Sequence, residues 1–94
     1  MINVALFGLG RIGQMHGENL NAHKRFKLKY TFDINNNLSR KISKKFNSIS
    51  IKNPKVAFQD KNIDVVFIAS STPTHINLIN EATKYKKVVF CKSL

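Results

Sequence analysis

The chain has 94 residues, of which 43% are hydrophobic, so residues 1–94 are predicted to form one small domain with a packed core. No apolar run approaches the roughly 18 residues of a membrane helix, no leader with a cleavage site is recognisable, and a single cysteine excludes a disulfide framework. No cluster of His, Cys, Asp or Glu has metal-ligand spacing. These features predict a cytoplasmic protein without metal or membrane partners.

The charge is strongly unbalanced, because 16 Lys and Arg face 5 Asp and Glu, giving a net charge of +11. A nucleic-acid interface would gather its cations on one face and interleave them with aromatic residues. Here the lysines are scattered, and Asn and Ile are also abundant. The charge is therefore interpreted as a solvated surface. Nucleic-acid binding remains the weaker alternative, and it would show a steep dependence on salt.

The first thirteen residues predict a strand that runs into a glycine-rich turn. The apolar stretch 3–7 is followed by Gly8, Gly10 and Gly13 in the pattern GxGxxG. These glycines permit a tight turn, the approach of phosphates to bare backbone, and close packing of the next helix, whose free N–H groups and dipole favour an anion. Arg11 either supports a pyrophosphate or is solvated. The residues predicted to bind a dinucleotide here are Gly8, Leu9, Gly10, Arg11, Ile12 and Gly13.

Helical spacing predicts the first helix after this turn. Its apolar positions are Ile12, Met15 and Leu20, and Gly17 lies on the same side as Gly13, so that this side approaches the sheet closely. His16 is interpreted as a packed or half-exposed histidine rather than as a ligand.

The alternating residues 28–32 predict a second strand, which ends on Asp33. Asp33 follows Gly13 by about 20 residues, the usual offset of the acid that accepts hydrogen bonds from the adenosine ribose. A carboxylate there favours NAD and repels the 2′-phosphate of NADP, so NAD is the predicted cofactor and NADP the less favoured one, although Arg40 and Lys41 are near in sequence. The alternative for Asp33 is a residue that forms the turn at the strand end.

The middle of the chain predicts two further helices and two strands. Asn35 to Asn37 signal a helix start, and Leu38, Ile42 and Phe46 mark the apolar face of that helix. The remaining predicted elements are a strand at 49–51, a short helix anchored by Val56, Ala57 and Phe58, and a strand at 65–69 of the kind that is buried on both faces.

A second polar turn, 70–75, follows the buried strand and leads into a helix that extends to Tyr85. His75 either hydrogen-bonds a ribose or substrate group or has no such role. A fifth strand covers 88–91, where Cys91 is interpreted as a buried small residue. Lys92 comes next and either hydrogen-bonds a substrate hydroxyl, as a catalytic residue, or is solvated. The residues predicted to contact the cofactor from the polar turn are Ser70, Ser71, Thr72 and His75.

The alternation of strands and helices predicts an α/β fold, a Rossmann-type doubly wound parallel sheet of about five strands in the order 3-2-1-4-5. Both turns then lie at carboxyl ends of strands, on either side of the switch point between strands 1 and 4. The fifth strand is left as an edge with unpaired backbone and apolar surface, which predicts self-association.

The chain resembles the N-terminal domain of the Gfo/Idh/MocA oxidoreductases, and within that family it is most similar to the inositol 2-dehydrogenases. The resemblance rests on the segment from Val4 to Gly13 with His16, Glu18, Asn19 and Leu20, on Asp33, and on Asp64 to His75, and it covers essentially the whole chain. It implies NAD-dependent oxidation of a cyclic polyol or sugar, with hydride transfer to the nicotinamide.

The resemblance also reveals two departures. The family continues after its fifth strand with Cys-Glu-Lys-Pro, whose lysine takes part in catalysis, whereas this chain has Cys91-Lys92-Ser93-Leu94. The family's substrate domain, with its proton-transferring Asp and His, is not among the 94 residues. The chain is thus expected to be an incomplete member that binds NAD and is inactive alone. The alternative is a non-catalytic module that binds or senses NAD(H).

Overall fold

The computed structural model describes residues 1–70 and 72–91, and for residues 72–76 it describes the backbone without the side chains. Strands and helices alternate along these residues. Their bounds are Ile2–Phe7 (β1), Arg11–Ala22 (α1), Phe26–Phe32 (β2), Asn36–Phe46 (α2), Ile49–Ser50 (β3), Lys55–Gln59 (α3), Val65–Ile68 (β4), Thr72–Lys84 (α4) and Val88–Cys91 (β5).

The strands of the described residues form one parallel sheet in the order β3-β2-β1-β4-β5. This confirms the predicted doubly wound fold. β1 is the central strand, and its residues from Val4 to Phe7 are completely buried. Because the chain winds outward from β1 in one direction to β3 and then returns to β4, the carboxyl ends of β1 and β4 flank the switch point, where open α/β sheets hold their ligands.

Each face of the sheet carries its own hydrophobic core. On one face, Leu6 packs with Ile42 and Phe46 of α2, which confirms the predicted apolar face of that helix. On the other face, the Phe7 ring meets the Phe58 ring edge to face, with centroids 5.4 Å apart. The two cores explain why β1 is the most buried strand, since alternate residues of it point into each of them.

Helix starts and close packing also follow the sequence signals. Asn35 caps α2, because its side chain accepts a hydrogen bond from the Leu38 N–H at 3.1 Å. Gly17 lets α1 lie close to the sheet, since a Cβ there would come within 2.5 Å of the Phe46 ring.

The prediction that Met15 and Val56 pack inside is wrong, because each is 46% exposed. The glycines occupy the centre of the contact face of α1, and α3 is too short to bury more than Ala57 and Phe58.

β2 contains a bulge that strict alternation did not predict. Val4 pairs with Leu28, but the next residue of β1 pairs with Tyr30, so Lys29 is an extra residue in the strand. Leu28 and Tyr30 therefore point to opposite faces and belong to different cores. The bulge brings the Lys29 ammonium and the Tyr30 hydroxyl to within 2.6 and 2.7 Å of the Asp60 carboxylate, to which both donate.

Asp60, the residue that follows α3, is bonded to β2 and to the segments that precede β4 and β5. Its second carboxylate oxygen accepts the Asn62 N–H at 2.8 Å, and its backbone carbonyl accepts a hydrogen bond from the Lys87 ammonium at 2.7 Å. The same ammonium also donates to the Ile63 carbonyl, just before β4. The hydrogen bond from Lys29, followed by those from Tyr30 and the Asn62 N–H, lowers the pKa of Asp60 from 3.8 to about 2. The charged carboxylate is thus the form that the fold stabilises.

We expect the Asp60→Asn variant to lose about 1 kcal/mol of stability at neutral pH, a modest value because the site is partly screened by water. Since the pKa of Asp60 is lower in the folded than in the unfolded chain, its contribution is complete above about pH 5 and is progressively lost as the pH falls through 3.8 to about 2. Thermal unfolding by circular dichroism should show the difference between wild type and variant shrinking over that range. A difference that stays constant down to pH 2 would contradict this assignment.

β4 and β5 are less buried than their sequences predict. Val66 and Ile68 are fully buried, but Phe67, on the other face of β4, is only partly covered, so burial on both faces is not confirmed. In β5, Phe90 is 61% exposed and Cys91 is exposed, which makes the interpretation of Cys91 as a buried residue wrong. The physical reason is that β5 is an edge strand of the described sheet. Self-association through this apolar edge stays a prediction.

Candidate functional site

The glycine turn lies where β1, β2 and β4 end together. The Gly8 N–H donates to the Phe32 carbonyl at 2.9 Å, and the Ala69 N–H donates to the Phe7 carbonyl at 2.7 Å. Gly8 has a φ of +95°, a conformation that side chains disfavour, and a Cβ there would come within 2.5 Å of the Ser70 nitrogen. Gly8 is therefore required both by its backbone conformation and by the approach of β4.

The surroundings of Gly13 and Gly10 differ. A Cβ on Gly13 would lie 1.8 Å from the Gly8 carbonyl oxygen, so α1 begins against the turn itself. A Cβ on Gly10 would meet no atom of the described residues within 4 Å. Gly10 has extended backbone geometry that any residue can adopt, and no side chain caps α1 there. The space beside Gly10 is thus open, at a helix N-terminus that attracts anions.

The backbone N–H groups of the first turn of α1 are available. The first backbone hydrogen bond of the helix is donated by Gln14 to the Gly10 carbonyl at 2.9 Å. Within residues 1–70 and 72–91, the N–H groups of Arg11, Ile12 and Gly13 have no backbone partner. The Leu9 side chain is completely buried in a core, so Leu9 faces the turn only with its backbone. Arg11 is exposed and Ile12 is half-buried.

Asp33 stands directly beside the turn, as its spacing predicts. One carboxylate oxygen accepts the Leu9 N–H at 2.8 Å, and the other accepts the Asn35 N–H at 2.9 Å. A carboxylate can accept about four hydrogen bonds, so acceptor positions remain for a ligand. Asp33 therefore holds the turn in place, as the turn-forming alternative expects, and its contact with a ribose stays a prediction.

Gln14 is a part of the site that the sequence reasoning missed. Its side-chain amide nitrogen donates to the Leu9 carbonyl, five residues earlier in the chain, at 3.0 Å. Gln14 and Asp33 thus hold the two sides of Leu9. The signal that could have found it is an amide side chain one residue after the third glycine, which places a donor next to the turn.

On the β4 side of the crevice, the structure places Ser70 next to Gly8. The Ser70 hydroxyl oxygen is buried, and among the described residues it has no hydrogen-bond partner. Ser71 and Lys92 lie outside the described residues, as do the side chains of Thr72 and His75. The structure therefore brings Ser70 into the site and leaves the other four as predictions.

His16 packs rather than facing the glycine turn. Its ring lies against the Phe67 ring with centroids 4.7 Å apart, and Phe67 in turn stacks on Phe90. This contact confirms the interpretation of His16 as a packed histidine. Arg40 lies exposed on α2, where its guanidinium donates to the Asn37 side chain.

A parallel sheet in this order, with a GxGxxG turn at its switch point and an acid at the end of β2, defines a Rossmann-type nucleotide-binding domain. The chain belongs to the Gfo/Idh/MocA family of oxidoreductases, since the model of that family, an oxidoreductase family with an NAD-binding Rossmann fold, matches residues 2–92. The family resemblance drawn from the sequence is confirmed.

Among the curated relatives, the chain is 35% identical over 92 residues to a myo-inositol 2-dehydrogenase from Thermotoga maritima. The matched region covers 97% of this chain and 28% of that protein. Among solved structures, a myo-inositol dehydrogenase from Corynebacterium glutamicum is similar with a TM-score of 0.90 and 28% identity, over 97% of this chain and 27% of that one.

A myo-inositol dehydrogenase from Lactobacillus casei, solved in complex with NAD(H) and myo-inositol, shares the fold with a TM-score of 0.90 at 22% identity, over 97% of this chain and 28% of that one. The chain thus spans little more than a quarter of the length of these relatives. In the described part of the chain, none of the helices is long and apolar enough to cross a membrane.

We expect two alanine substitutions in the turn to reduce stability by very different amounts. Gly13→Ala places a methyl group on the Gly8 carbonyl and should cost about 3 kcal/mol or more, which a domain of this size cannot easily absorb. Gly10→Ala meets no atom in the described part of the chain and should cost about 1 kcal/mol or less, the usual effect of alanine at a helix start. Chemical denaturation of both variants measures this contrast, and similar losses for the two would contradict the distinct roles of these glycines.

Proposed function

We propose that this chain binds NAD at the carboxyl ends of β1 and β4, as the cofactor-binding portion of an oxidoreductase that acts on a cyclic polyol or sugar. The observation that carries the proposal is the open space beside Gly10 at the free N-terminus of α1. If Gly10 served only the packing of the protein, other atoms of the chain would fill the space beside it, as they do beside Gly13. The family to which the chain belongs and its inositol dehydrogenase relatives support the same proposal.

The pyrophosphate of the dinucleotide fits the chemistry of the turn. It is an anion, and the first turn of α1 offers it N–H donors and the positive end of the helix dipole. The exposed Arg11 guanidinium would add charge at the same place. In this proposal Leu9 and Ile12 contribute through the backbone, and Ser70, Ser71, Thr72 and His75 complete the site from the β4 side.

The preference for NAD over NADP rests on Asp33. Its carboxylate has acceptor positions left for the two ribose hydroxyls of NAD, and its negative charge repels the 2′-phosphate of NADP. Because Asp33 also holds the Leu9 N–H, the Asp33→Ala variant would disturb the turn and the ribose contact together. Gly10→Ala is the cleaner test of cofactor binding, since its methyl group occupies only the open space.

Calorimetric titration of the 94-residue chain with NAD and NADP tests the proposal. We expect NAD to bind at least about tenfold more tightly than NADP, equivalent to about 1.4 kcal/mol. Gly10→Ala should fold and lose most of its NAD affinity, because the methyl group takes the place of the phosphate. A folded wild-type chain that binds neither dinucleotide would contradict the proposal, and so would an unchanged affinity in Gly10→Ala.

The bound nicotinamide supplies the hydride acceptor, and the protein has to supply binding, orientation and a proton acceptor for the substrate hydroxyl. We propose Lys92 as the residue that hydrogen-bonds this hydroxyl.

The 94 residues match the cofactor portion of relatives more than three times as long, so we further propose that they do not oxidise a polyol by themselves.

An assay with NAD and myo-inositol, followed by absorbance of NADH, tests this part separately. We expect NAD to bind without measurable NADH formation, which is also the behaviour of a module that only binds or senses NAD(H). Inositol-dependent NADH formation by the purified chain would show that these residues hold a complete catalytic site. That result would overturn the proposed inactivity and leave the proposed cofactor site in place.

A further inference from the structure

Two consecutive peptide groups of the glycine turn are each held by a side chain. The Leu9 N–H donates to the Asp33 carboxylate at 2.8 Å, and the Leu9 carbonyl accepts the Gln14 amide at 3.0 Å. The first bond holds the Gly8–Leu9 peptide and the second holds the Leu9–Gly10 peptide. Both contacts are partly buried, so competing water is reduced there.

The second of these bonds determines where the backbone points at the start of α1. In a trans peptide, the carbonyl of one residue and the N–H of the next lie in one plane and point in opposite directions. Fixing the Leu9 carbonyl on the Gln14 side therefore turns the Gly10 N–H away from Gln14. Rotation of this peptide would also change the direction in which the helix starts, because Gly10 is its first boundary residue.

Gln14 also closes the first turn of the helix through its backbone, whose N–H donates to the Gly10 carbonyl at 2.9 Å. Gln14 is therefore bonded to both residues that precede the free N–H groups of Arg11 and Ile12. A first turn held in this way loses less entropy when an anion binds, because fewer arrangements are available to it beforehand. Asp33 supplies the equivalent restraint from β2.

We infer that Gln14 is a positioning residue for dinucleotide binding: through the Leu9 carbonyl it aligns the backbone N–H groups that receive the pyrophosphate, without touching the ligand itself. The inference rests on the proposed function, since it concerns the same site. It assigns a role to a side chain that the glycine pattern leaves unspecified.

The test compares NAD and adenosine binding in Gln14→Met and Gln14→Ala, by NMR titration. Both variants lack the donor, methionine retains the length of the side chain, and both residues favour helices. Gln59→Met is the matched control, since Gln59 is exposed on α3 and bonds only to the Tyr85 hydroxyl among the described residues. We expect the dissociation constant for NAD to rise about three- to tenfold in both Gln14 variants. Adenosine, which has no phosphate, should bind as it does to wild type, and the control should behave as wild type with both ligands.

The outcomes separate this inference from the proposed function. A wild-type chain that does not bind NAD would overturn both. Wild-type binding that both Gln14 variants retain would overturn only the inference. An equal loss of NAD and adenosine affinity, or a failure of both variants to fold, would also overturn it, because Gln14 would then serve the stability of the turn rather than the alignment of its N–H groups.

Discussion

The site depends on the contact between the start of α1 and the end of β1. Gly13 lies so close to the Gly8 carbonyl oxygen that a Cβ would come within 1.8 Å of it, and Gly8 itself leaves room for the backbone of Ser70 on β4. These contacts bring the N-terminus of α1 over the crevice between the two central strands. The dipole and the free N–H groups of the helix are thereby directed to the switch point of the sheet.

Because the turn acts through its backbone, the side chains around it serve mainly to hold that backbone. Leu9 is buried in the core and anchors the turn to the sheet, while Asp33 and Gln14 hold its N–H and its carbonyl. Asp33 thus forms the turn, and this role leaves the proposed ribose contact open, so the two roles are compatible. A single carboxylate links the ends of β1 and β2 and still offers acceptor positions to a ligand.

Much of the architecture could be predicted because local patterns and topology rules agree. The strand order, the cap at Asn35 and the apolar face of α2 follow from such patterns. The predictions of side-chain burial failed where the presence or absence of a neighbouring element decides which side chains are covered. The bulge at Lys29 breaks the alternation of β2, and the edge position of β5 leaves Cys91 exposed although its strand is apolar. Neither the extra residue in a ladder nor the covering of an edge is encoded in the strand's own sequence.

The sequence by itself determined the spacing of the glycines and of Asp33, and with it the class of fold and the place of the proposed cofactor site, because the turn depends on backbone geometry that only certain residues allow. Only the tertiary structure decided which contacts support that geometry. The bonds from Gln14 to Leu9 and from Lys29 and Tyr30 to Asp60 join residues whose side chains are versatile donors. Such side chains find partners according to what folding brings near them, so their roles are determined by three-dimensional proximity rather than by a local pattern.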